Sequence, residues 1–127
     1  MRDLPPYART LGIEALEEGG ALLYRMPFAE VVLGRPGFLH GGAIAGLLEF
    51  AAIATLLREL DESGARVKPI NMSVSFMRGG TEQDTFAAAT VTRIGGRVAN
   101  VEAHAWQQDR LKLIATAQLN LLVRRPQ

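Results

Sequence analysis

The sequence predicts a single α+β domain in which an antiparallel β-sheet wraps around one long, buried helix. Two patterns carry this prediction: an apolar run from Ala43 to Leu57, and a series of alternating segments in the second half of the chain. A length of 127 residues, with 48% hydrophobic and 21% charged residues, is typical of one globular domain. We therefore expect one domain over residues 1–127.

The apolar run predicts a central helix over about residues 42–60. Its apolar residues fall on every side of a helix rather than along one stripe, which is typical of a helix buried all round. They are Ile44, Leu47, Leu48, Phe50, Ile53, Leu56 and Leu57. A single sheet covers only part of such a helix, so we expect a second copy of the chain to cover the rest in a homodimer.

Alternating polar and apolar residues predict the strands. A β-hairpin is expected over residues 11–27, around a turn at Glu18-Gly19-Gly20, after a short helix at residues 4–10. Four further strands are predicted, near residues 70–76, 86–94, 101–106 and 111–123. Because short turns join these four strands, they predict an antiparallel meander.

Composition and charge exclude several classes of function. The 14 Lys and Arg residues against 13 Asp and Glu leave a net charge of +1, so no basic field exists to hold nucleic acid or an anionic membrane. The absence of Cys excludes thiolate chemistry, and two His argue against a metal site. The apolar run is shorter than the ~20 residues that span a bilayer, and the N-terminus lacks the apolar segment of a signal peptide. We expect a cytoplasmic protein that needs no metal and no cofactor.

Glu49 is the one charged residue between Arg35 and Arg58, and it lies at the centre of the apolar run. Burial disfavours an ionised carboxylate, so a carboxylate retained at this position is a candidate catalytic group. The alternative is a structural glutamate that reaches solvent or pairs with an arginine. The residue alone leaves both interpretations open.

A glycine-rich loop, Gly34-Arg35-Pro36-Gly37-Phe38-Leu39-His40-Gly41-Gly42, precedes the helix. Its glycines allow a positive φ and a close approach of the backbone to a ligand. Because the first N–H groups of a helix have no intrahelical partner, Gly41 can offer its N–H to a substrate oxygen as an oxyanion donor. The alternative is that Gly41 and Gly42 only form a tight turn into the helix.

Gly41 and Glu49 lie eight positions apart, which corresponds to ~12 Å along one helix. A base or nucleophile and an oxyanion donor must act within a few ångströms of the same carbonyl group. One chain does not easily supply both groups to one substrate. We therefore expect composite sites in which Glu49 of one chain meets Gly41 of the other.

These motifs resemble those of the hotdog-fold acyl-CoA thioesterases, in particular the branch related to the phenylacetate-pathway thioesterase. The resemblance covers roughly residues 11–124. It rests on Leu11-Gly12-Ile13-Glu14, Gly37, His40-Gly41-Gly42 with Glu49 at the expected spacing, and Phe76-Met77-Arg78. It implies a hotdog domain that hydrolyses the thioester of an acyl-coenzyme A and assembles as a homodimer or homotetramer.

The resemblance also implies roles for individual residues. Glu49 matches the catalytic carboxylate, which acts as a general base or as a nucleophile. Gly41 matches the donor that polarises the thioester carbonyl, and His40 matches the motif histidine, which shapes the loop. The remaining candidates for binding the substrate, including the phosphates of CoA, are Gly42, Gly34, Asn71, Phe50, Arg93, Gly96 and Arg97.

Two departures from the family pattern bear on catalysis. The family often has Asn or Gln where this chain has Gly34, six positions before the motif histidine, and Ser or Thr where it has Pro69. These departures favour an alternative function, a hotdog protein that binds acyl-CoA without hydrolysing it. A hydratase on the same fold is a third hypothesis, but it requires an Asp and His pair, and the loop offers only His40.

Overall fold

The computed structural model of the protein describes residues 4–61 and 64–126. Its elements are, in order, α1 (Pro6–Leu11), β1 (Glu14–Glu18), β2 (Ala21–Met26), a 3₁₀ turn (Glu30–Val32), α2 (Gly41–Leu60), β3 (Arg66–Phe76), β4 (Thr85–Ile94), β5 (Val98–Trp106) and β6 (Leu113–Arg124). The strands form one six-stranded antiparallel sheet in the order β1-β2-β4-β5-β6-β3, and α2 packs on one face of it. Within the two described ranges, no helix is long and apolar enough to cross a lipid bilayer.

The central helix α2 begins and ends at residues that cap it. His40 is the N-cap, and its Nδ1 accepts a hydrogen bond from the Gly42 N–H at 2.8 Å. Asp61 ends the helix in the left-handed conformation, with φ at 45°. The sequence predicted this helix over about residues 42–60, and the structure places it at Gly41–Leu60.

The side of α2 that faces the sheet forms the centre of the core. Leu47, Leu48, Ala51, Ala52 and Leu56 are completely buried. They face an inner sheet surface rich in alanine on β5 and β6, where small side chains let the helix approach closely. The opposite side of α2 is only half-buried. The described residues of one chain therefore bury α2 on one side, as expected if a single sheet covers only part of the helix. That a second copy covers the other side stays a prediction.

The predicted meander is correct for β4, β5 and β6 but wrong for β3. β3 pairs with β6 and forms one edge of the sheet, so the chain crosses β6 and β5 before it enters β4. A bulge between Pro69 and Asn71 interrupts the expected alternation, and Ile70 and Phe76 are 54% and 56% exposed. Alternation identifies a strand, but it does not identify the strand's neighbour.

The first hairpin is shorter than predicted. Leu11 ends α1 instead of opening a strand, Gly12 caps that helix with φ at 72°, and β1 begins at Glu14. The predicted turn is present, because Gly19 and Gly20 both have positive φ between the two strands. Leu11 is buried at the end of the helix, so its apolar character did not distinguish a helix end from a strand.

Candidate functional site

The glycine-rich loop keeps its shape through close backbone contacts. The Gly34 N–H donates to Phe38 O at 3.0 Å, and the His40 N–H donates to Val32 O at 2.8 Å. A Cβ at Gly34 would lie 3.0 Å from His40 Cα, so the Asn or Gln of the family pattern would fit here only if the His40 backbone shifted by a few tenths of an ångström. Of the four glycines in this loop, all of them described, only Gly37 has a positive φ, at 88°. Gly34 and Gly42 instead allow His40 to approach closely, because a Cβ at either position would lie 3.0 Å or 2.9 Å from an atom of His40.

His40 leaves one amide at the N-terminus of α2 without a partner. Its Nδ1 accepts from Gly42, and its carbonyl oxygen accepts from the N–H groups of Ala43 and Ile44 at 3.0 and 3.2 Å. No described residue accepts a hydrogen bond from the Gly41 N–H. This N–H group lies at the N-terminus of α2, which is the positive end of the helix dipole. A Cβ at Gly42 would lie 2.9 Å from the His40 ring, so the second glycine permits the cap.

Gly41 lines a cavity of about 330 Å³ between the loop and the end of β3. Phe38 and Phe76 form aromatic walls, and a Cβ at Gly41 would lie 3.4 Å from the Phe76 ring. Arg35 and Arg78 also line this cavity, and the Arg35 guanidinium lies 4.4 Å from the centre of the Phe38 ring. Arg35 was not among the site residues predicted from the sequence, although its position inside the glycine-rich loop could have identified it as a candidate.

Glu49 lies on a different and larger cavity, of about 1040 Å³, which we call the α1–α2 cavity. It is bounded by α1, the half-buried side of α2 and the β1–β2 hairpin, and Glu49 is itself half-buried there. No described residue forms a hydrogen bond or an ion pair with its carboxylate. The structural alternative of a Glu49–Arg pair is therefore absent within the described part of the chain.

Phe50 lies beside Glu49 on the wall of the α1–α2 cavity. Its ring meets the ring of Tyr24 edge to face, with centroids 5.4 Å apart and planes at 87°. Burial raises the pKa of Tyr24, and a hydrogen bond with Thr55 and the charge of Arg58 partly oppose this effect. The Tyr24 phenol is therefore neutral at physiological pH.

Asn71 is not brought to the glycine loop within one chain. It pairs in register with Asn120, and its Oδ1 accepts from Asn120 Nδ2 at 2.8 Å. The flanking residues Leu119 and Leu121 point into the core, so these two amides lie on the sheet face opposite α2.

Arg93, Gly96 and Arg97 lie around the β4–β5 turn, far from Gly41. Phe76, beside Gly41, shares a sheet row with Ala105 through Ala115. Arg97 is eight residues from Ala105, which corresponds to about 26 Å along a strand. Within one chain, Gly41 lines one cavity, while Glu49 and Phe50 line another. Gly34, His40 and Gly42 lie in the loop and helix start around Gly41 without lining its cavity, and Arg93, Gly96 and Arg97 line neither cavity.

Comparison with known proteins identifies the family. The description "thioesterase superfamily" belongs to the family model that matches residues 36–114, which is more than half of the chain. No curated protein matches the chain.

Solved structures share the fold over nearly the whole chain. A protein from Bacillus halodurans, crystallised with CoA, is 22% identical with a TM-score of 0.89, covering 100% of this chain and 83% of its own. A putative thioesterase from Ralstonia eutropha, related to phenylacetic acid degradation, is 26% identical with a TM-score of 0.83 and coverages of 95% and 92%. A Chromobacterium violaceum protein is 33% identical with a TM-score of 0.78 and coverages of 96% and 85%. The chain therefore belongs to the thioesterase superfamily and has its hotdog fold, as the resemblance implied.

Proposed function

We propose that the protein hydrolyses the thioester bond of an acyl-CoA to the free acid and CoA. Membership of the thioesterase superfamily supports the reaction type, and the Bacillus halodurans protein of the same fold was crystallised with CoA. The observation that carries the proposal is the pair of unpartnered groups on α2. The Gly41 N–H lacks an acceptor and the Glu49 carboxylate lacks a donor among the described residues.

In this mechanism the Gly41 N–H donates a hydrogen bond to the thioester carbonyl oxygen. The bond strengthens as negative charge develops on that oxygen in the transition state, and the dipole of α2 adds to it. Glu49 either removes a proton from the attacking water or attacks the carbonyl carbon to form an anhydride that water then opens. The C–S bond then breaks. In the general-base route Glu49 returns the proton taken from water to the leaving sulfur, and in the anhydride route the released thiolate takes a proton from water, so that CoA leaves as the thiol. His40 is a positioning residue, because its Nδ1 is occupied by Gly42.

Each catalytic site in the proposal combines two chains. Gly41 and Glu49 line separate cavities, ~12 Å apart along α2, so one chain does not present both to one carbonyl. Two chains related by a twofold axis can bring Glu49 of one to Gly41 of the other, which gives two equivalent sites per homodimer. Further assembly to a homotetramer is compatible with this arrangement.

The direct test is Glu49→Gln, which keeps the shape of the side chain and removes its charge. Release of free thiol from a panel of acyl-CoAs should fall by at least ~10²-fold, the usual scale for losing a general base. Glu59→Gln is the matched control, because it makes the same change at an exposed position of α2 and should retain wild-type activity. Hydrolysis by Glu49→Gln within a few-fold of wild type would show that Glu49 is structural.

Complementation tests the composite site. Glu49→Gln and Gly41→Pro should each be inactive, and mixing them after reversible dissociation should restore activity. Random mixing gives about half heterodimers, each with one intact site, so activity should reach roughly a quarter of wild type. If both variants fold and exchange subunits but the mixture stays inactive, the two groups do not act from different chains.

The alternative function is a hotdog protein that binds acyl-CoA without hydrolysis. It is favoured by Gly34, because this residue lacks the amide side chain that many members carry there, and the His40 backbone crowds the position that its Cβ would take. Calorimetry and the thiol assay distinguish the two functions. The alternative holds if acyl-CoA binds to the wild-type protein while no thiol is released above background.

A further inference from the structure

We propose that the α1–α2 cavity binds the acyl group of the substrate as an extended, uncharged chain of medium length, which lies along α2 from Glu49 towards Leu57. This inference rests on the proposed function, because it places the thioester carbonyl beside Glu49. It adds a direction, a length and a chemical class for the acyl group.

The direction follows from the side of Glu49 that the side chains of α1 occupy. A Cβ at Gly46 would lie 2.7 Å from Tyr7 Cε2 and 3.0 Å from Leu11 Cδ1, so these two α1 side chains lie directly on the backbone of α2. Gly46 precedes Glu49 by less than one helical turn. Tyr7 and Leu11 therefore occupy the Gly46 side of Glu49, and the stretch of the cavity open to an acyl group runs towards the C-terminal end of α2.

The chemical class follows from the walls beyond Glu49. The α2 residues on this stretch of the cavity are all apolar: Phe50, Ile53, Ala54 and Leu57. The facing residues of the N-terminal segment and the hairpin are mostly apolar as well, namely Leu4, Ala8, Ala15 and Leu22, with Glu17 and Tyr24 as polar exceptions. These walls fit an aliphatic chain, since burying apolar surface is favourable and burying an unpaired polar group is costly. An acyl group with a terminal carboxylate would also be repelled by Glu17, on the same cavity.

The length follows from where the apolar walls end. Arg58 and Asp61 line the cavity beyond Leu57, so the apolar stretch runs from Glu49 to Leu57. These two residues are eight positions apart, or ~12 Å along the helix, which an extended medium-chain acyl group fills. A longer chain would bring its end against the charged residues, and a phenylacetyl group would leave the stretch near Leu57 empty.

The test is a chain-length profile of kcat/KM, measured by thiol release from acetyl-, hexanoyl-, octanoyl-, decanoyl-, palmitoyl- and phenylacetyl-CoA. The wild-type optimum should fall at octanoyl- or decanoyl-CoA. Ala54→Phe fills the middle of the cavity and should move the optimum to hexanoyl-CoA or shorter, with a loss of at least ~10-fold for decanoyl-CoA. Leu57→Ala opens the far end and should move the optimum towards longer chains. Ala21→Phe, at an exposed position outside the cavity, should leave the profile unchanged.

Three results would overturn the inference. The first is a chain-length profile of Leu57→Ala that does not differ from wild type. Leu57→Ala alone tests the inference if Ala54→Phe does not fold. The second is dissociation of Ala54→Phe into monomers in sedimentation while its chain-length profile stays unchanged, which would show that the cavity is an interface between copies of the chain.

If the wild type hydrolyses no thioester, the proposed function fails, and the cavity is tested by calorimetry with decanoic acid. Binding that Ala54→Phe removes would support the acyl site, and the third overturning result is no binding.

Discussion

Replacing Gly41 by proline removes the proposed oxyanion donor while sparing the fold. Gly41 is the first residue of α2, where proline is favoured because the missing N–H has no intrahelical partner. Proline also restricts the residue before it to extended conformations, and His40 already has φ −68° and ψ 130°. The added ring atoms meet Phe76, whose side chain is 56% exposed and therefore free to turn away.

The expected magnitude follows from the number of donors that the helix terminus offers. The N–H groups of Gly42, Ala43 and Ile44 are all occupied by His40, so Gly41 provides the one amide left for the substrate. Losing a single oxyanion donor typically lowers kcat by ~10²–10³-fold, or about 2.7–4 kcal/mol of transition-state stabilisation. Because no second amide can substitute, we expect the full loss in Gly41→Pro.

The assay compares Gly41→Pro with Gly41→Ala, which also adds a Cβ but retains the N–H. Both variants should keep the wild-type circular dichroism spectrum and thermal midpoint to within a few degrees. In the thiol-release assay, kcat of Gly41→Ala should stay within ~10-fold of wild type, and kcat of Gly41→Pro should lie a further ~10²-fold or more below it. If the two folded variants have equal kcat, the Gly41 N–H is not the oxyanion donor.

Three further predictions concern assembly and stability. One-sided burial of α2 and a composite site predict at least a dimer at micromolar concentration, and an active monomer in sedimentation would contradict them. Burial raises the pKa of Tyr24, so its contribution to stability is present below the unfolded-state pKa of 10.0 and is lost as the pH rises through the folded-state value. The free energy of unfolding, from urea titrations at pH 8 to 11, should therefore fall more steeply in wild type than in Tyr24→Phe, and parallel profiles would refute this. Gln107 accepts from the Thr81 N–H at 3.1 Å and donates to Thr81 O at 2.9 Å and to the buried Thr85 Oγ1 at 3.2 Å. Gln107→Leu leaves these groups unpaired and should lower the free energy of unfolding by about 1–3 kcal/mol, so an unchanged urea midpoint would count against that role.

The parts that depend on local pattern were predictable from the sequence. The apolar run and the glycines before it placed α2 to within a residue of its observed start, because helix formation and capping involve neighbours in the chain. Alternation located β4, β5 and β6 for the same reason. Glu49 became a candidate catalytic residue for a similar reason, because a carboxylate in an apolar run is conspicuous without any structure, and its role stays a prediction.

The parts that depend on distant pairing were decided only by the tertiary structure. The place of β3 beside β6 results from contacts between residues about 50 positions apart, such as Asn71 and Asn120, and no short-range pattern encodes such a partner. The same pairing turns Asn71 away from α2 and puts Arg97 at the end of the sheet remote from Gly41. Packing of α1 against Gly46 creates the cavity beside Glu49, because its walls come from two helices and a hairpin that meet only in the folded chain.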